Sequence, residues 1–400
     1  MSISWPVYSA AVQRRVAQAV ARGEVYDYAG TSGAVVDLER LFNAHHGGRH
    51  CLSFNSGTSA LYAAYGALGL GPGDEVVVPN FTFLATVSPL LWLGATPVLC
   101  DSDVAEPGVC VETISRCLTE RTRAISVTHL FGNPVAIGSI AQLARQHNLK
   151  LIEDCSHAHA STIGGDPVGL SGDAAIYSVG STKMVSGGHG GLLLTPHDDV
   201  WDAALLIGHF KPRPRADLVD PQLRRHAEFG LGGNLRMSPL AALLAIDHMS
   251  RLTELSAAKI ANVAVLDEAV GTGLVPVRTT DHRVNGTFFD IVYSLPPNEP
   301  PAERDKLVTR LVAAGVPARA PSTRPINRVL RSIGQAGNAR SGPLWEGLRQ
   351  LAAAAPSDAE LPASTTAHDR MVSFPSTLFH DASCSYAHEI AEATRKVLHQ

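Results

Sequence analysis

The chain has 400 residues, of which 45% are hydrophobic and 18% charged, and its 37 acidic and 33 basic side chains give a net charge of -4. This composition is typical of a globular enzyme with two or three domains, and the slightly acidic balance argues against a nucleic acid as the main partner. No run approaches the ~18 apolar residues of a membrane span, and residues 1–23 contain arginines but no continuous apolar segment. We therefore expect a cytoplasmic protein without a signal peptide.

The six cysteines and 17 histidines show no spacing typical of a metal site. The cysteines are scattered along the chain, at Cys51, Cys100, Cys110, Cys117, Cys155 and Cys384. We interpret all six as reduced core residues, including Cys155, whose place beside Asp154 would otherwise suggest a nucleophile. The sequence predicts no bound metal.

Two helices are predicted near the start of the chain, over residues 9–21 and 36–42, from the spacing of their apolar residues. A turn-rich loop with Tyr26, Tyr28, Gly30 and Gly33 separates them. Residues 50–54 then read as a strand, which ends at Asn55-Ser56-Gly57-Thr58 before a helix over residues 59–68. A strand, a glycine turn and a helix N-terminus form a phosphate cradle, because the first helical N–H groups lack partners and point outward.

Strands alternate with helices through the next hundred residues. Short apolar runs at residues 76–79, 96–101, 124–128 and 150–154 predict strands, and helices are predicted between them, at 85–93 and 137–148. This alternation predicts a parallel sheet covered on both faces, with a site at the carboxyl ends of its strands.

The stretch from residue 151 to 195 combines an acid, a lysine and a glycine run. Asp154 ends the strand that starts at Lys150, and a second strand over residues 174–178 leads into a turn that carries Lys183. Glycines at 187, 188 and 190 precede a third strand. On spacing alone, Asp154 as a helix cap and Lys183 as a solvated loop charge remain alternatives.

Asp154, His157, Ser178, Lys183 and the glycine run resemble the core motif of the DegT/StrS-type sugar aminotransferases, pyridoxal 5'-phosphate enzymes of the aspartate aminotransferase fold. The resemblance implies that Lys183 forms the Schiff base and that Asp154 pairs with the pyridinium nitrogen. It places His157 beside the ring hydroxyl and Ser178 at the phosphate. A lysine in this role needs a lowered pKa, since only the neutral amine is a nucleophile or base.

Four further positions match the family. Gly57 and Thr58 lie in its SGT element and would bind the cofactor phosphate, and Phe83 falls where an aromatic ring stacks on the cofactor. Asn234 lies in a GxNxRM element whose asparagine reaches the phosphate of the neighbouring subunit, which implies a homodimer. A core phenylalanine is the alternative for Phe83, and a helix cap at Ser238 with Pro239 as the first helical residue is compatible with the Asn234 assignment.

The resemblance implies an α/β fold, the type I fold of pyridoxal phosphate-dependent transferases. We expect a large domain over residues 1–250, with an N-terminal helical segment over 1–45 and a mainly parallel seven-stranded sheet covered by helices. A smaller α+β domain is expected over residues 251–400, with a helix at 255–270, a strand at 288–294 and helices at 304–314 and 385–398. Residues 330–367 predict little beyond further helices.

The resemblance implies amino transfer from L-glutamate or L-glutamine to a keto-sugar or keto-cyclitol. The pattern His157-Ala-His159 and the opening Trp5-Pro6 also resemble aminohydroxybenzoate synthases and cyclitol aminotransferases of antibiotic pathways, so a role in antibiotic or sugar biosynthesis is expected. A dehydrating or aromatising enzyme is the first alternative. Lys183 argues against a deoxysugar dehydratase, where histidine typically replaces the lysine. A non-enzymatic protein on the same fold is the second alternative, although every cofactor position is filled.

Two features bear on the acceptor. The basic loop from Lys211 to Arg225, which also holds Arg213 and Arg215, is either a binding site for an anionic acceptor such as a nucleotide diphosphate or a solvated surface loop. In the glycine run, His189 stands where many family members carry glutamate, so acceptor contacts do not carry over directly.

Overall fold

The structure is a computed structural model that describes residues 5–26, 32–47, 50–103, 108–335 and 342–399. Its strands are β1 (His50–Phe54), β2 (Glu75–Pro79), β3 (Thr96–Cys100), β4 (Thr122–Thr128), β5 (Lys150–Asp154), β6 (Thr162–Ile163), β7 (Asp166–Pro167), β8 (Ala174–Ser178), β9 (Gly191–Thr195), β10 (Val275–Pro276), β11 (Val284–Asn285), β12 (Ile291–Ser294) and β13 (Met371–Phe374). Its α-helices are α1 (Ala10–Ala21), α2 (Ala34–His45), α3 (Gly57–Ala67), α4 (Ser88–Leu93), α5 (Val111–Ser115), α6 (Ile137–Gln146), α7 (Asp198–Gly208), α8 (Pro212–Asp217), α9 (Pro239–Ser250), α10 (Leu252–Val270), α11 (Glu303–Ala313), α12 (Ile326–Gln335), α13 (Pro343–Ala353), α14 (Pro362–Arg370) and α15 (Ser385–Leu398).

The central sheet has seven strands in the order β1-β9-β8-β5-β4-β2-β3. Only β9 runs against its neighbours, pairing antiparallel with both β1 and β8, while the other pairs are parallel. The register sets Thr128 of β4 beside Asp154 of β5, and Ser178 of β8 beside Gly191 of β9. The predicted α/β fold with a mainly parallel seven-stranded sheet is confirmed.

Alternate residues of the central strands pack into different cores, as the period of two in a strand requires. In β8, Ala174 and Ile176 join the core with α3 and α7, whereas Ala175 and Tyr177 join the core with α2 and α9. The sheet is therefore covered on both faces, and its strands are mostly apolar because both faces pack against helices.

A second sheet, which is antiparallel and has the order β10-β12-β13, packs with α10, α11 and α15 around its own core. The predicted strand over residues 288–294 begins only at Ile291, since Phe288 to Asp290 lie outside the ladder. The predicted helix over 85–93 is also shorter, because a 3-10 turn (Leu84–Thr86) precedes α4, which carries Pro89 in its first turn. Residues 330–367 contain α13 and parts of α12 and α14.

All six cysteines are free thiols, four of them buried and Cys110 and Cys117 partly exposed. Among the described residues, no helix combines the length and apolar character of a membrane span. Tyr28 and Gly30 of the predicted turn-rich loop fall in the segment 27–31, outside the described residues.

Candidate active site

Asp154 lies at the carboxyl end of β5, near the middle of the central sheet, and is 4% exposed. Its Oδ1 accepts the backbone N–H of Ser156 at 3.1 Å, and its Oδ2 accepts the hydroxyl of Thr86 at 2.8 Å. These hydrogen bonds hold a buried carboxylate in one orientation at the sheet edge.

Sequence reasoning missed Thr86. Its hydroxyl lies 3.0 Å from that of Thr82, which in turn lies 2.8 Å from Thr128 at the end of β4. A connected set of three buried hydroxyls therefore leads to Asp154. The available signal was that these threonines lie at or just after the ends of β2 and β4, the same edge of the sheet.

Lys183 lies on the turn between β8 and β9, where its backbone N–H donates to Gly180 O at 3.0 Å. Its Nζ lies 3.9 Å from the centre of the Phe289 ring. Burial lowers the pKa of Lys183 from 10.5 to about 8, against the opposing effect of the negative charge on Asp154. A substantial fraction of this amine is neutral near physiological pH, as nucleophilic or base chemistry requires.

His157 is buried and stacks on Phe289, with ring centroids 3.7 Å apart and planes within 9°. Its Nδ1 accepts the backbone N–H of Phe131 at 3.2 Å, so the neutral ring carries its proton on Nε2. Burial, aided by the charge of Lys183, lowers the pKa of His157 well below its usual value. The imidazole is therefore a neutral donor through Nε2.

The turn that supplies this N–H has a strained backbone. Phe131 has φ of 58° and Gly132 has φ of 89°, both in the left-handed region. A Cβ on Gly132 would lie 2.1 Å from Thr287 O, so only glycine fits. The turn joins the central sheet to the segment that carries Phe289, since Thr287 N donates to Gly132 O at 3.0 Å.

Gly57, Thr58 and Ser178 meet at the N-terminus of α3. Ser56 caps the helix by accepting the N–H of Ser59 at 3.0 Å. A Cβ on Gly57 would lie 2.9 Å from Ser178 Cβ, so glycine permits the close approach of α3 to the end of β8. Free N–H groups and two hydroxyl side chains here have the chemistry of an anion site.

Phe83 follows β2 and is 61% exposed. The segment with Asn234 lies beside the α3 cradle of its own chain, because Leu235 O accepts the N–H of Asn55 at 2.6 Å. Asn234 Oδ1 accepts from Arg236 Nε at 3.0 Å. The predicted cap is confirmed, with Ser238 accepting from Leu240 N and α9 starting at Pro239.

Trp5 is a second residue that sequence reasoning did not place in the site. Its indole N–H donates to Lys183 O at 3.2 Å, across 178 residues of chain. The resemblance drew attention to Trp5-Pro6 as a family feature, but the contact depends on tertiary packing that the local sequence does not contain.

A buried histidine–glutamate pair lies behind the site. Glu153 accepts His129 Nε2 at 3.1 Å and the backbone N–H groups of Gly169, Ser171 and Gly172 at 2.7–3.0 Å. His129 Nδ1 accepts Val135 N at 3.2 Å. Cys155 lies close enough to complete a three-ligand group. Because protein partners already use the histidine and carboxylate atoms, we interpret this group as structural support for β5.

The basic loop was predicted to be either a solvated surface loop or a binding site for an anion. At Arg213 the structure differs from both, because this side chain is buried and paired with carboxylates of the protein. Its side chain is 4% exposed, with Nη2 2.8 Å from Glu39 Oε2 and Nε bound to Asp217. Glu39 in turn accepts the N–H and hydroxyl of Ser53. Arg213 thus ties α8 to α2 and β1, whereas the exposed Arg215 pairs with Glu228.

The sequence profile of the DegT/DnrJ/EryC1/StrS aminotransferase family matches residues 10–334. The chain belongs to this family. Its members depend on pyridoxal phosphate as a general property. Lys183 with its lowered pKa, the buried Asp154 and the cradle at Gly57 fit that cofactor, since they offer an amine that can act as a nucleophile, a partner for a cationic ring nitrogen and an anion site.

Several relatives of known name resemble the chain. It is 30% identical to the L-glutamine:scyllo-inosose aminotransferase of Streptomyces griseus, over 93% of this chain and 87% of that protein. It is 35% identical to the GDP-perosamine synthase of Caulobacter vibrioides, over 56% of this chain and 58% of that protein. The crystal structure of 3-amino-5-hydroxybenzoic acid synthase superposes with a TM-score of 0.81 at 26% identity, covering 100% of this chain and 99% of that chain.

Proposed function

We propose that this DegT/StrS-family protein transfers the amino group of L-glutamine or L-glutamate to the ketone of a keto-cyclitol or keto-sugar, with pyridoxal 5'-phosphate as cofactor. The observation that carries the proposal is the Lys183 amine, whose pKa burial lowers to about 8 at the sheet edge where Asp154 ends β5. A solvated loop lysine would keep its ordinary pKa, whereas a lysine that attacks a carbonyl needs this environment.

The cofactor would be held by the groups that meet at this edge. The α3 N-terminus with Gly57, Thr58 and Ser178 would bind the phosphate. Asp154 would keep the ring nitrogen protonated, which requires a fixed negative charge there. His157 would donate its Nε2–H to the ring hydroxyl oxygen, and Phe83 would pack against the face of the ring.

Bound pyridoxal phosphate supplies an electron sink that stabilises negative charge on the donor carbon. The protein's own part is to move the proton. Lys183 Nζ would act as the base that takes the proton from the donor α-carbon and later gives it up again. Phe289 lies against this amine and covers one side of it, and the hydroxyl of Thr86 keeps the Asp154 carboxylate oriented.

An absorption experiment tests cofactor and donor together. The purified protein, reconstituted with pyridoxal phosphate, is expected to be yellow and to bleach on addition of glutamine or glutamate. Colour that persists with both compounds would exclude them as donors. A protein that binds no pyridoxal phosphate would contradict the proposal and favour a non-enzymatic role.

The ion pairs of the basic loop support an uncharged acceptor. Two arginines of this loop are already paired with carboxylates, Arg213 with Glu39 and Asp217 and Arg215 with Glu228, while Arg225 donates to His226 Nε2 at 3.1 Å. A diphosphate would have to displace these carboxylates, with loss of a buried ion pair at Arg213. A free keto-cyclitol needs no such cations, so we favour this class over a nucleotide-linked keto-sugar.

Parallel assays with scyllo-inosose and a GDP-linked keto-sugar, each with glutamine, separate these classes. We expect turnover with the free cyclitol. Turnover with only the nucleotide-linked sugar would contradict the acceptor class. A second candidate, the aromatising reaction, is supported by the TM-score of 0.81 to the aminohydroxybenzoic acid synthase, and formation of an aromatic product from a cyclic ketone would identify it.

We also propose a homodimer in which Asn234 reaches the phosphate of the partner subunit. Phe229 and Leu231, close to Asn234 in the chain, are 74% and 75% exposed and would contribute apolar area to an interface. A second copy of the chain would cover them and bring two cradles towards one interface.

Mixing two inactive variants tests whether Asn234 acts across the interface. Lys183→Ala and Asn234→Ala subunits, mixed and allowed to exchange, form heterodimers in which one site has both residues intact only if Asn234 comes from the partner. Regain of about a quarter of wild-type activity is then expected. A mixture as inactive as its components would place Asn234 in the site of its own chain.

We further propose that residues 1–250, with the helical segment 1–45, form a large domain and residues 251–400 a small one. The seven-stranded sheet lies entirely before residue 196, and β10, β12 and β13 lie after residue 274. Phe289, from the second group, contacts Lys183 of the first, so the site would lie between the two domains.

A further inference from the structure

A second lysine is buried close to the candidate active site. Lys259, on α10, is 2% exposed, and its Nζ lies 3.2 Å from Ser376 Oγ and 5.1 Å from the centre of the Trp5 indole. Burial lowers the pKa of Lys259 to about 8, opposed by the charge of Asp290. Since lysine is rarely buried completely, a purely apolar side chain would be the ordinary choice for a packing role on this helix.

Through Ser376, Lys259 is connected to the aromatic ring that covers Lys183. The Ser376 hydroxyl accepts from Lys259 and donates to Phe289 O at 2.6 Å. Because this bond fixes the backbone of Phe289, it fixes the ring that lies 3.9 Å from Lys183 Nζ and stacks on His157. Two hydrogen bonds thus separate the Lys259 amine from the backbone of the residue that shields the Lys183 amine.

Through Trp5, Lys259 is connected to the backbone of Lys183 itself. The indole that receives the Lys259 amine on its face donates its N–H to Lys183 O at 3.2 Å. Lys259 therefore contacts Trp5, which binds the Lys183 carbonyl, and reaches Phe289, which lies beside the Lys183 amine, only through Ser376. We name Trp5, Phe289, Ser376 and Lys259 together the wall of the site.

The other titratable groups near Lys259 have partners of their own. Asp290 accepts the hydroxyl of Ser373 at 2.6 Å and lies 3.2 Å from Arg319. His248 and His380 pack against the Trp5 ring, at 5.0 and 5.5 Å between centroids. Asp290 thus has partners besides Lys259, and the hydroxyl that Lys259 binds is the one that holds Phe289.

We propose that Lys259 is a positioning residue. It holds Phe289 indirectly, through Ser376, and it holds Trp5 by direct contact, and in this way it keeps the Lys183 amine shielded from water. The inference rests on the proposed role of Lys183 as the reactive amine. Without the Lys259 amine, the wall loses its link between α10 and Phe289, and water reaches Lys183.

The test measures Lys183 in the cofactor-free protein, independently of transaminase activity. A small amine-modifying reagent is applied over a pH series, and the modified Lys183 peptide is quantified by mass spectrometry. The wild-type midpoint is expected near pH 8. In Lys259→Met, which has a similar volume without the amine, we expect the midpoint to rise by about one pH unit and kcat/KM for the donor to fall about tenfold. Lys306→Met, at an exposed lysine of α11 paired with Glu303, should change neither.

Ser376→Ala separates positioning from charge. It leaves the Lys259 amine in place but removes its link to Phe289, so the same upward shift of the Lys183 midpoint is expected. A shift in Lys259→Met without one in Ser376→Ala would show an effect of charge alone and would overturn the proposal. An unchanged midpoint in both would also overturn it. If Lys259→Met does not fold, Ser376→Ala decides alone.

The two proposals fail in different ways. A wild-type protein that binds no pyridoxal phosphate would contradict the proposed function, while the reagent midpoints would still report on the wall. A protein that binds the cofactor and transfers amino groups, but whose Lys183 midpoint is insensitive to Ser376→Ala, would retain the function and lose the positioning role of Lys259.

Discussion

The site has a floor and a wall, and their residues come from the chain in different ways. The floor is formed by Thr86, Asp154, His157 and Lys183. Three of the four floor residues lie in one short stretch of chain around β5 and β8. The wall comes from three separate parts of the chain: Trp5, helix α10, and the loops next to β12 and β13. The difference suggests a division of work, in which the floor carries the chemistry and the wall sets the surroundings of the Lys183 amine.

The floor can be broken most completely at Lys183. Lys183→Ala is expected to abolish amino transfer and the visible absorption of bound cofactor, because no other floor side chain offers an amine. The fold should persist, since a turn lysine contributes little to the core. Lys150→Ala removes an exposed lysine at the start of β5, paired with Asp173, and should retain full activity. Equal turnover of both variants, measured at saturating donor, would contradict the assignment of Lys183.

Asp154 should have the next largest effect. Asp154→Asn keeps the shape and removes the charge, so we expect kcat to fall on the order of 10²–10⁴-fold, the usual size for lost assistance to proton transfer. Thr86→Val leaves the charge and removes one hydrogen bond, so a loss of about tenfold is expected. If Thr86→Val were as damaging as Asp154→Asn, the hydroxyl set would have a role beyond orientation.

The floor and the wall also differ in how far the sequence predicted them. Asp154, Gly57 and Lys183 were assigned through the resemblance to the family, and the local patterns supported that assignment because they set Asp154 and Gly57 at the ends of predicted strands. Phe289 was missed because residues 288–294 were predicted as one strand, whereas the chain leaves the ladder before Ile291 and turns the ring to His157. Trp5 and Lys259 act through tertiary contacts that no local pattern contains.

Arg213 shows the same limit for electrostatics. Its sequence neighbours gave a proline-rich basic loop, which predicts either solvent exposure or anion binding. Its partner Glu39 lies on α2, 174 residues away, and only the fold brings the two together. The identity of a charged residue is therefore readable from sequence, but its partner is not.

The junction of floor and wall can be disturbed at Gly132. Gly132→Ala places a Cβ 2.1 Å from Thr287 O in a left-handed backbone, so we expect a loss of about 2–4 kcal/mol in the free energy of unfolding. Gly138→Ala, within α6 where an added Cβ meets nothing within 4 Å, should instead stabilise by about 0.5–1 kcal/mol. Urea denaturation compares the two. Equal stability would mean that the chain accommodates the clash by moving Thr287.

The smallest effect is expected at Trp5, where the wall meets the Lys183 backbone through one hydrogen bond. Trp5→Phe keeps an aromatic ring under the Lys259 amine and removes the N–H that binds Lys183 O, so about 1 kcal/mol of positioning, or roughly fivefold in kcat/KM, should be lost. Trp92→Phe, at a 51% exposed residue of α4, is the matched control and should change nothing. A loss at Trp5 as large as that of Asp154→Asn would place the indole among the groups that touch the substrate, and would remove the division between a reactive floor and a positioning wall.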